Sequence, residues 1–270
     1  METVCVISGG AGGMGLATAK IVGQSHGVLI CDVRQEHLDT AAAELRALGV
    51  ECETLRCDVT DRRSGNEMAT QAQRLGKVVS VVHTAGVSPQ MGTPEHIVTV
   101  NALGTVHVNE AFIPLAHEGF AIVNVASAAG HLPAAFPVPR RSYKLAVTDP
   151  DRFLSKVLGR VDLFPRMLRP GLAYAVSKNF VIWYSKSLAK RLGQRGARIV
   201  SVSPGSIDTD MGRLEEAAGA GALARKSALG RFGRVEEIAE VLSFCASGKP
   251  GYLTGTDVLV DGGGRVNSRS

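Results

Sequence analysis

Several things are scarce in this 270-residue chain, and each scarcity excludes something. Aromatic residues make up 5%, with a single Trp. The five cysteines (Cys5, Cys31, Cys52, Cys57, Cys245) are odd in number and form no C-x-x-C, so neither a disulfide framework nor a zinc ribbon is expected. No metal site is expected at all. Most of these cysteines lie in or beside apolar runs, where a thiol serves as a small hydrophobe, and a reducing, cytoplasmic compartment follows. No apolar run approaches 18 residues, so no membrane span is expected. Val4-Cys5-Val6-Ile7 reads as a strand almost at the start, which leaves no room for a signal peptide. The 31 glycines show no G-X-Y period.

Charge is scarce in excess, except in one place. Thirty basic residues face twenty-five acidic ones. Residues 131–170 hold eight cations (Arg140, Arg141, Lys144, Arg152, Lys156, Arg160, Arg166, Arg169) against Asp149, Asp151 and Asp162. The remainder of the chain is balanced. Nucleic-acid binders spread their basic residues along a face or stripe, so no nucleic-acid partner is expected.

Short Val- and Ile-rich runs alternate with segments of helical period. Strands are predicted at 3–8, 27–31, 51–57, 78–83, 120–126, 197–202 and 256–260. Helices are predicted at 13–23, 36–47, 62–74, 94–116, 172–193 and 234–246. The strands are apolar throughout rather than alternating, as in a parallel sheet covered on both faces. Repeated β-then-α order predicts an α/β fold of Rossmann type: one domain, with a doubly wound, seven-stranded parallel sheet.

Segment 131–170 breaks that rhythm. Pro133, Pro137 and Pro139 forbid a regular element, and Asp149-Pro150 reads as an N-cap with a first-turn proline. A helix of about three turns should follow, then a turn from Pro165 to Pro170. Phe153, Leu154, Val157, Leu158 and Val161 fall at helical spacing, and the apolar face of this mostly helical insertion is expected to include Phe136, Phe153, Leu154, Leu158, Phe164 and Met167. An excursion of this length often serves as a lid or a binding element. Its cations either steer an acidic group of a substrate or are simply solvated.

The first strand runs into Ser8-Gly9-Gly10-Ala11-Gly12-Gly13-Met14-Gly15, and a helix follows. Glycines permit close backbone approach, and a helix N-terminus favours a pyrophosphate. Asp32 closes the second strand, where a carboxylate accepts ribose hydroxyls and repels a 2′-phosphate. Neither Ala11 nor Val33 is basic, and Arg34 is the only nearby cation. This pattern favours NAD over NADP. Tyr174 and Lys178 lie four apart at a helix start, on one face. An ammonium beside a phenol favours phenolate, which equips Tyr174 for general acid–base work on an alcohol.

The ordered set Ser8 to Gly15, Asp32, Asp58-Val59, His83-Thr84-Ala85-Gly86, Asn101, Ser127, Tyr174-x-x-x-Lys178, Pro204-Gly205 and Val260-Asp261-Gly262-Gly263 resembles the short-chain dehydrogenase/reductase family. The spacing of Gly9, Gly13 and Gly15 is similar to its single-domain type, and the likeness spans about residues 3–263.

The resemblance implies an NAD(H)-dependent oxidoreductase that interconverts a secondary alcohol and a ketone. Tyr174 would be the proton donor or acceptor. Lys178 would lower its pKa and bind the nicotinamide ribose. Ser127 would hydrogen-bond the substrate oxygen. Asn101 would hold a water linking Lys178 to solvent. Ser8, Gly9, Gly10, Gly13, Met14, Gly15, Asp32, Val33, Thr84, Ala85 and Gly86 would line the cofactor. Asp58 and Val59 would lie at the adenine, with Pro204, Gly205, Ile207 and Thr209 at the nicotinamide. A homodimer or homotetramer is implied.

The sequence departs from the family at several points. Ser8 replaces the usual Thr, Ser203 replaces the usual Asn, and His83-Thr84-Ala85-Gly86 replaces Asn-Asn-Ala-Gly. His83 reads either as an extra acid or base or as a structural hydrogen-bonding residue beneath the cofactor. The gap from Ser127 to Tyr174 is 47 residues, where the family has about a dozen. Tyr143 stands nearer the usual distance, but its fourth following residue is Val147, so Tyr174 is assigned instead. The long gap is similar to the bacterial 3α-hydroxysteroid dehydrogenase/carbonyl reductase branch, which implies a bulky lipophilic, steroid-like or aryl substrate. The alternatives are a redox sensor without turnover, and an epimerase or dehydratase of the same fold. Those enzymes usually carry a larger C-terminal substrate region, whereas only seven residues follow Gly263 here.

Overall fold

The computed structural model describes residues 1–132, 138–215 and 221–267. The chain alternates β1 (Thr3–Ser8), α1 (Gly13–Val22), β2 (Gly27–Asp32), α2 (Gln35–Ala47), β3 (Cys52–Arg56), α3 (Arg62–Leu75) and β4 (Lys77–His83). Next come α4 (Pro94–Val98), one π-type turn (Thr99–Leu103), α5 (Gly104–Phe112) and β5 (Ala121–Val125). The insertion contributes α6 (Leu145–Thr148) and α7 (Pro150–Val161). After it come α8 (Arg169–Gly193), β6 (Arg198–Pro204), α9 (Asp210–Glu215), α10 (Gly221–Lys226), α11 (Val235–Ala246), β7 (Thr256–Val260) and α12 (Gly264–Asn267).

Seven parallel strands form one sheet in the order β3-β2-β1-β4-β5-β6-β7. The strand order reverses between β1 and β4, and crevices outside the carboxyl ends at such a reversal are the usual ligand sites. Both faces are covered, which explains the unbroken apolar runs. Val4, Val6, Val81, Ile122 and Ile199 face one core with α8. Cys5, Ile7, Val82, Val123, Val200 and Val202 face the other with α11. All five cysteines are buried free thiols.

The expected helix at 94–116 ends earlier, at Phe112, and a 3₁₀ turn, Ile113–Leu115, follows. Pro114 has no N–H to continue an α-helix. α8 begins at Arg169 rather than 172. The Arg169 side chain donates to the Phe164 and Asp162 carbonyls at 2.9 Å each, which ties the preceding turn onto the helix start.

In the insertion, Asp149 caps α7 by accepting from the Arg152 amide, with Pro150 in the first turn, as the sequence suggests. The expected apolar face holds in part. Phe153, Val157 and Val161 are the buried stripe of α7, and the half-buried Leu154 packs against the same core, whereas Leu158 is half-buried at its margin. Met167 is 86% exposed. Phe136 lies outside the described residues. Tyr143 is fully buried among Phe153, Phe180 and Trp183. Its hydroxyl donates toward Asn179 Oδ1 (3.1 Å) and the Val176 carbonyl (3.3 Å), and burial pushes its pKa up. Tyr143 is a bolt between the insertion and α8.

Candidate active site

A cleft open to solvent lies at the carboxyl ends of the central strands. It gathers ten of the residues singled out from the sequence: Met14, Thr84, Gly86, Ser127, Tyr174, Lys178, Pro204, Gly205, Ile207 and Thr209. Val87, Val125, Ala126, Met211 and Gly212 complete the lining. Most of these adjoin recognised motifs, but Met211 and Gly212 belong to α9, a helix the sequence pattern did not reveal.

The glycine turn is built by close packing. Gly9 has φ +70°, and a Cβ there would stand 2.6 Å from the Ala85 nitrogen. A Cβ at Gly15 would enter the Gly9 carbonyl and come within 2.7 Å of Thr84 Oγ1. Thr84 Oγ1 donates to the Ser8 carbonyl at 2.8 Å, which fastens the turn to the end of β4. No side chain caps α1, so its first-turn amides remain available to an anion. This cradle fits a dinucleotide pyrophosphate.

Asp32 ends β2, where its Oδ1 accepts from the amides of Val33 (2.8 Å) and Arg34 (3.3 Å). Arg56 donates to the Val33 carbonyl, so a second cation stands at this turn. Asp58 Oδ1 is engaged by the Thr60 amide and hydroxyl, and Val59 is buried. The Cys57 amide bonds the Asp32 carbonyl at 2.8 Å, which sets Asp58 and Val59 next to the Asp32 turn.

On α8, Lys178 is 5% exposed. Its Nζ donates to the Val125 carbonyl at 2.9 Å and lies 6.0 Å from the Tyr174 ring centre. Tyr174 is half-buried. Asn101 sits in the π-type turn, a feature frequent at functional sites. It clasps Val87 through both backbone groups, at 2.9 and 3.0 Å, and donates to Ser177 Oγ at 3.2 Å. Ser177 Oγ in turn donates to the Tyr174 carbonyl at 2.8 Å. Asn101 thus braces the helix that carries Tyr174 and Lys178. Ser127 follows β5 and caps a 3₁₀ turn, Ala128–Gly130.

His83 is fully buried, and its Nδ1 is 2.6 Å from Ser8 Oγ. Burial, reinforced by the Lys178 charge, pushes its pKa down to about 3. It is therefore neutral at working pH and serves as a structural residue beneath the glycine turn. Below about pH 6.5 the unfolded chain takes up a proton that folded His83 refuses, so stability falls with falling pH. One such group contributes about 1.4 kcal/mol per pH unit. His83→Asn should flatten urea-unfolding midpoints between about pH 6.5 and 4.5 relative to the unmodified protein. Parallel curves would show that His83 protonates equally in both states.

The family model described as short chain dehydrogenase matches residues 3–156, and one described as Enoyl-(Acyl carrier protein) reductase matches 166–264. A short-chain dehydrogenase/reductase of Alternaria brassicicola is 37% identical, over 94% of this chain and 93% of that protein. The 3-oxoacyl-(acyl-carrier-protein) reductase FabG of Thermotoga maritima is 30% identical over 96% of each. A solved short-chain dehydrogenase of Burkholderia cenocepacia in complex with NADP has a TM-score of 0.76, at 24% identity over 97% of each chain. The chain belongs to the short-chain dehydrogenase/reductase family, whose members are oxidoreductases that bind a nicotinamide cofactor. Among the described residues no helix is long and apolar enough to cross a membrane.

Proposed function

We propose that the protein interconverts a bulky lipophilic secondary alcohol and its ketone with NAD(H). The observation that carries this reading is the convergence of Ser127, Tyr174 and Lys178 on one cleft that Pro204, Gly205 and Ile207 also line. A nicotinamide dinucleotide bound there supplies or accepts the hydride. Tyr174 gives a proton to the substrate oxygen in reduction and takes it back in oxidation. The buried Lys178 ammonium favours the phenolate form of Tyr174. Ser127 orients the same oxygen and supports charge that develops on it.

Asp32 supports NAD, because a carboxylate at the end of β2 accepts ribose hydroxyls and repels a 2′-phosphate. Arg34 and Arg56 oppose that preference only weakly, since Arg56 is directed at a carbonyl. The Burkholderia structure carries NADP, so the shared fold by itself does not decide between the two cofactors. The apolar lining from Val87, Val125 and Met211 supports a lipophilic substrate. The insertion, docked on α8 just before Tyr174, would wall the substrate mouth. Five free thiols fit a reducing, cytoplasmic setting. Self-association as a dimer or tetramer belongs to the same reading.

The test is oxidation of NADH and NADPH against neutral steroid, aryl and 3-oxoacyl ketones, with acidic analogues of similar bulk. Turnover is expected with NADH at least about tenfold above NADPH in kcat/KM, a difference of about 1.4 kcal/mol. A narrower gap or a reversed one overturns the NAD assignment. Absence of turnover with every ketone overturns the reductase reading.

A further inference from the structure

Only three residues separate Ser127 from the insertion, so the turn between them needs anchors of its own. The turn after Ser127 is tethered from α8, where Asn179 Nδ2 donates to the Gly130 carbonyl at 2.8 Å. A weaker bond comes from Arg265 to the Ala128 carbonyl, at 3.3 Å. The third tether is made by a side chain at the mouth of the insertion itself. His131 Nε2 lies 2.8 Å from Asp257 Oδ2.

Asp257 is on β7, two strands away from β5, so His131 reaches across β6 to make the contact. The Asp257 side chain is 2% exposed and that of His131 is 29% exposed. Asp257 is in register with Ser201, and Ser201 and Ser203 share one face of β6. Both hydroxyls donate to Asp257 Oδ1, Ser203 at 3.0 Å. One carboxylate oxygen is thereby fixed, and the other is aimed at the imidazole. A buried carboxylate is costly unless its oxygens are paired, so His131 and Asp257 each hold the other in place.

We propose that His131 is a positioning residue for the reaction. Anchored to Asp257, it fixes the end of the Ser127 turn to the rigid edge of the sheet and isolates Ser127 from the insertion. This inference rests on the oxidoreductase reading for its kinetic consequence, though not for the anchor itself.

The experiment compares His131→Ala and His131→Gln with the unmodified protein. A glutamine amide can place a donor where Nε2 stood. His131→Ala should lower kcat for ketone reduction by on the order of ten- to a hundredfold, the scale of an ångström-level misplacement. Affinity for NADH should stay within about twofold, because the glycine turn and Asp32 are untouched. His131→Gln should recover most of the loss. Backbone hydrogen exchange across residues 128–132 should rise in His131→Ala and not in His131→Gln. Unchanged kcat and exchange in His131→Ala, or equal losses in both variants, would overturn the proposal. If the unmodified protein reduced no ketone, the reductase reading would fail by itself, and the exchange comparison would still decide whether Asp257 anchors the turn.

Discussion

Tyr174→Phe is expected to cut ketone turnover by on the order of a thousandfold while NADH affinity changes less than about twofold. Among the described residues, the cleft lining contains two ionisable side chains, Tyr174 and Lys178. Lys178 is held by the Val125 carbonyl, and neutral His83 is buried against Ser8. Neither is placed to take over the proton. Removing one hydroxyl from a half-buried ring should leave α8 intact, since Tyr174's backbone remains bonded to Ser177 Oγ. Lost turnover with retained NADH binding, read by NADH fluorescence and by a single-turnover assay, would assign the phenol to proton transfer. Turnover within about tenfold of the unmodified protein would remove Tyr174 from that role.

How much of this was legible from sequence depended on whether the controlling interaction is local. The strands could be read because Val- and Ile-rich runs need no partner to be recognised. The α7 cap could be read because Asp149 and Pro150 act within one turn. Tyr143 could be set aside for want of a lysine four residues on, and its burial against Phe180 supplies the structural reason for its presence. Contacts between distant segments were not legible. The start of α8 depends on Arg169 reaching back to the carbonyls of a turn. The buried stripe of α7 is Phe153, Val157 and Val161 because that face meets α8 and Tyr143, whereas periodicity alone admitted Leu154 and Leu158 equally well. The π-type turn around Asn101 leaves no mark in composition. His131 and Asp257 are 126 residues apart, and only the sheet order brings them together.

The glycine turn gives the second large effect. Gly15→Val should weaken NADH binding by more than about a hundredfold, or about 2.7 kcal/mol, and should lower kcat/KM at least as far. The reason is steric. A Cβ at this position enters the Gly9 carbonyl, a backbone atom that cannot rotate away. It also crowds Thr84 Oγ1, the hydroxyl that fastens the turn to the end of β4. The collision can be relieved only by shifting the turn or the start of α1, the two segments proposed to present amides to the cofactor. Gly12→Ala is the control, because its extended backbone suits any residue and its Cβ would meet no protein atom. It should bind NADH within about fivefold of the unmodified protein, since nothing in the turn must move. Far-UV circular dichroism and the urea midpoint separate a displaced turn from global unfolding. A Gly15→Val protein that folds, yet binds NADH like the Gly12→Ala control, would show that the turn is not part of the cofactor cradle.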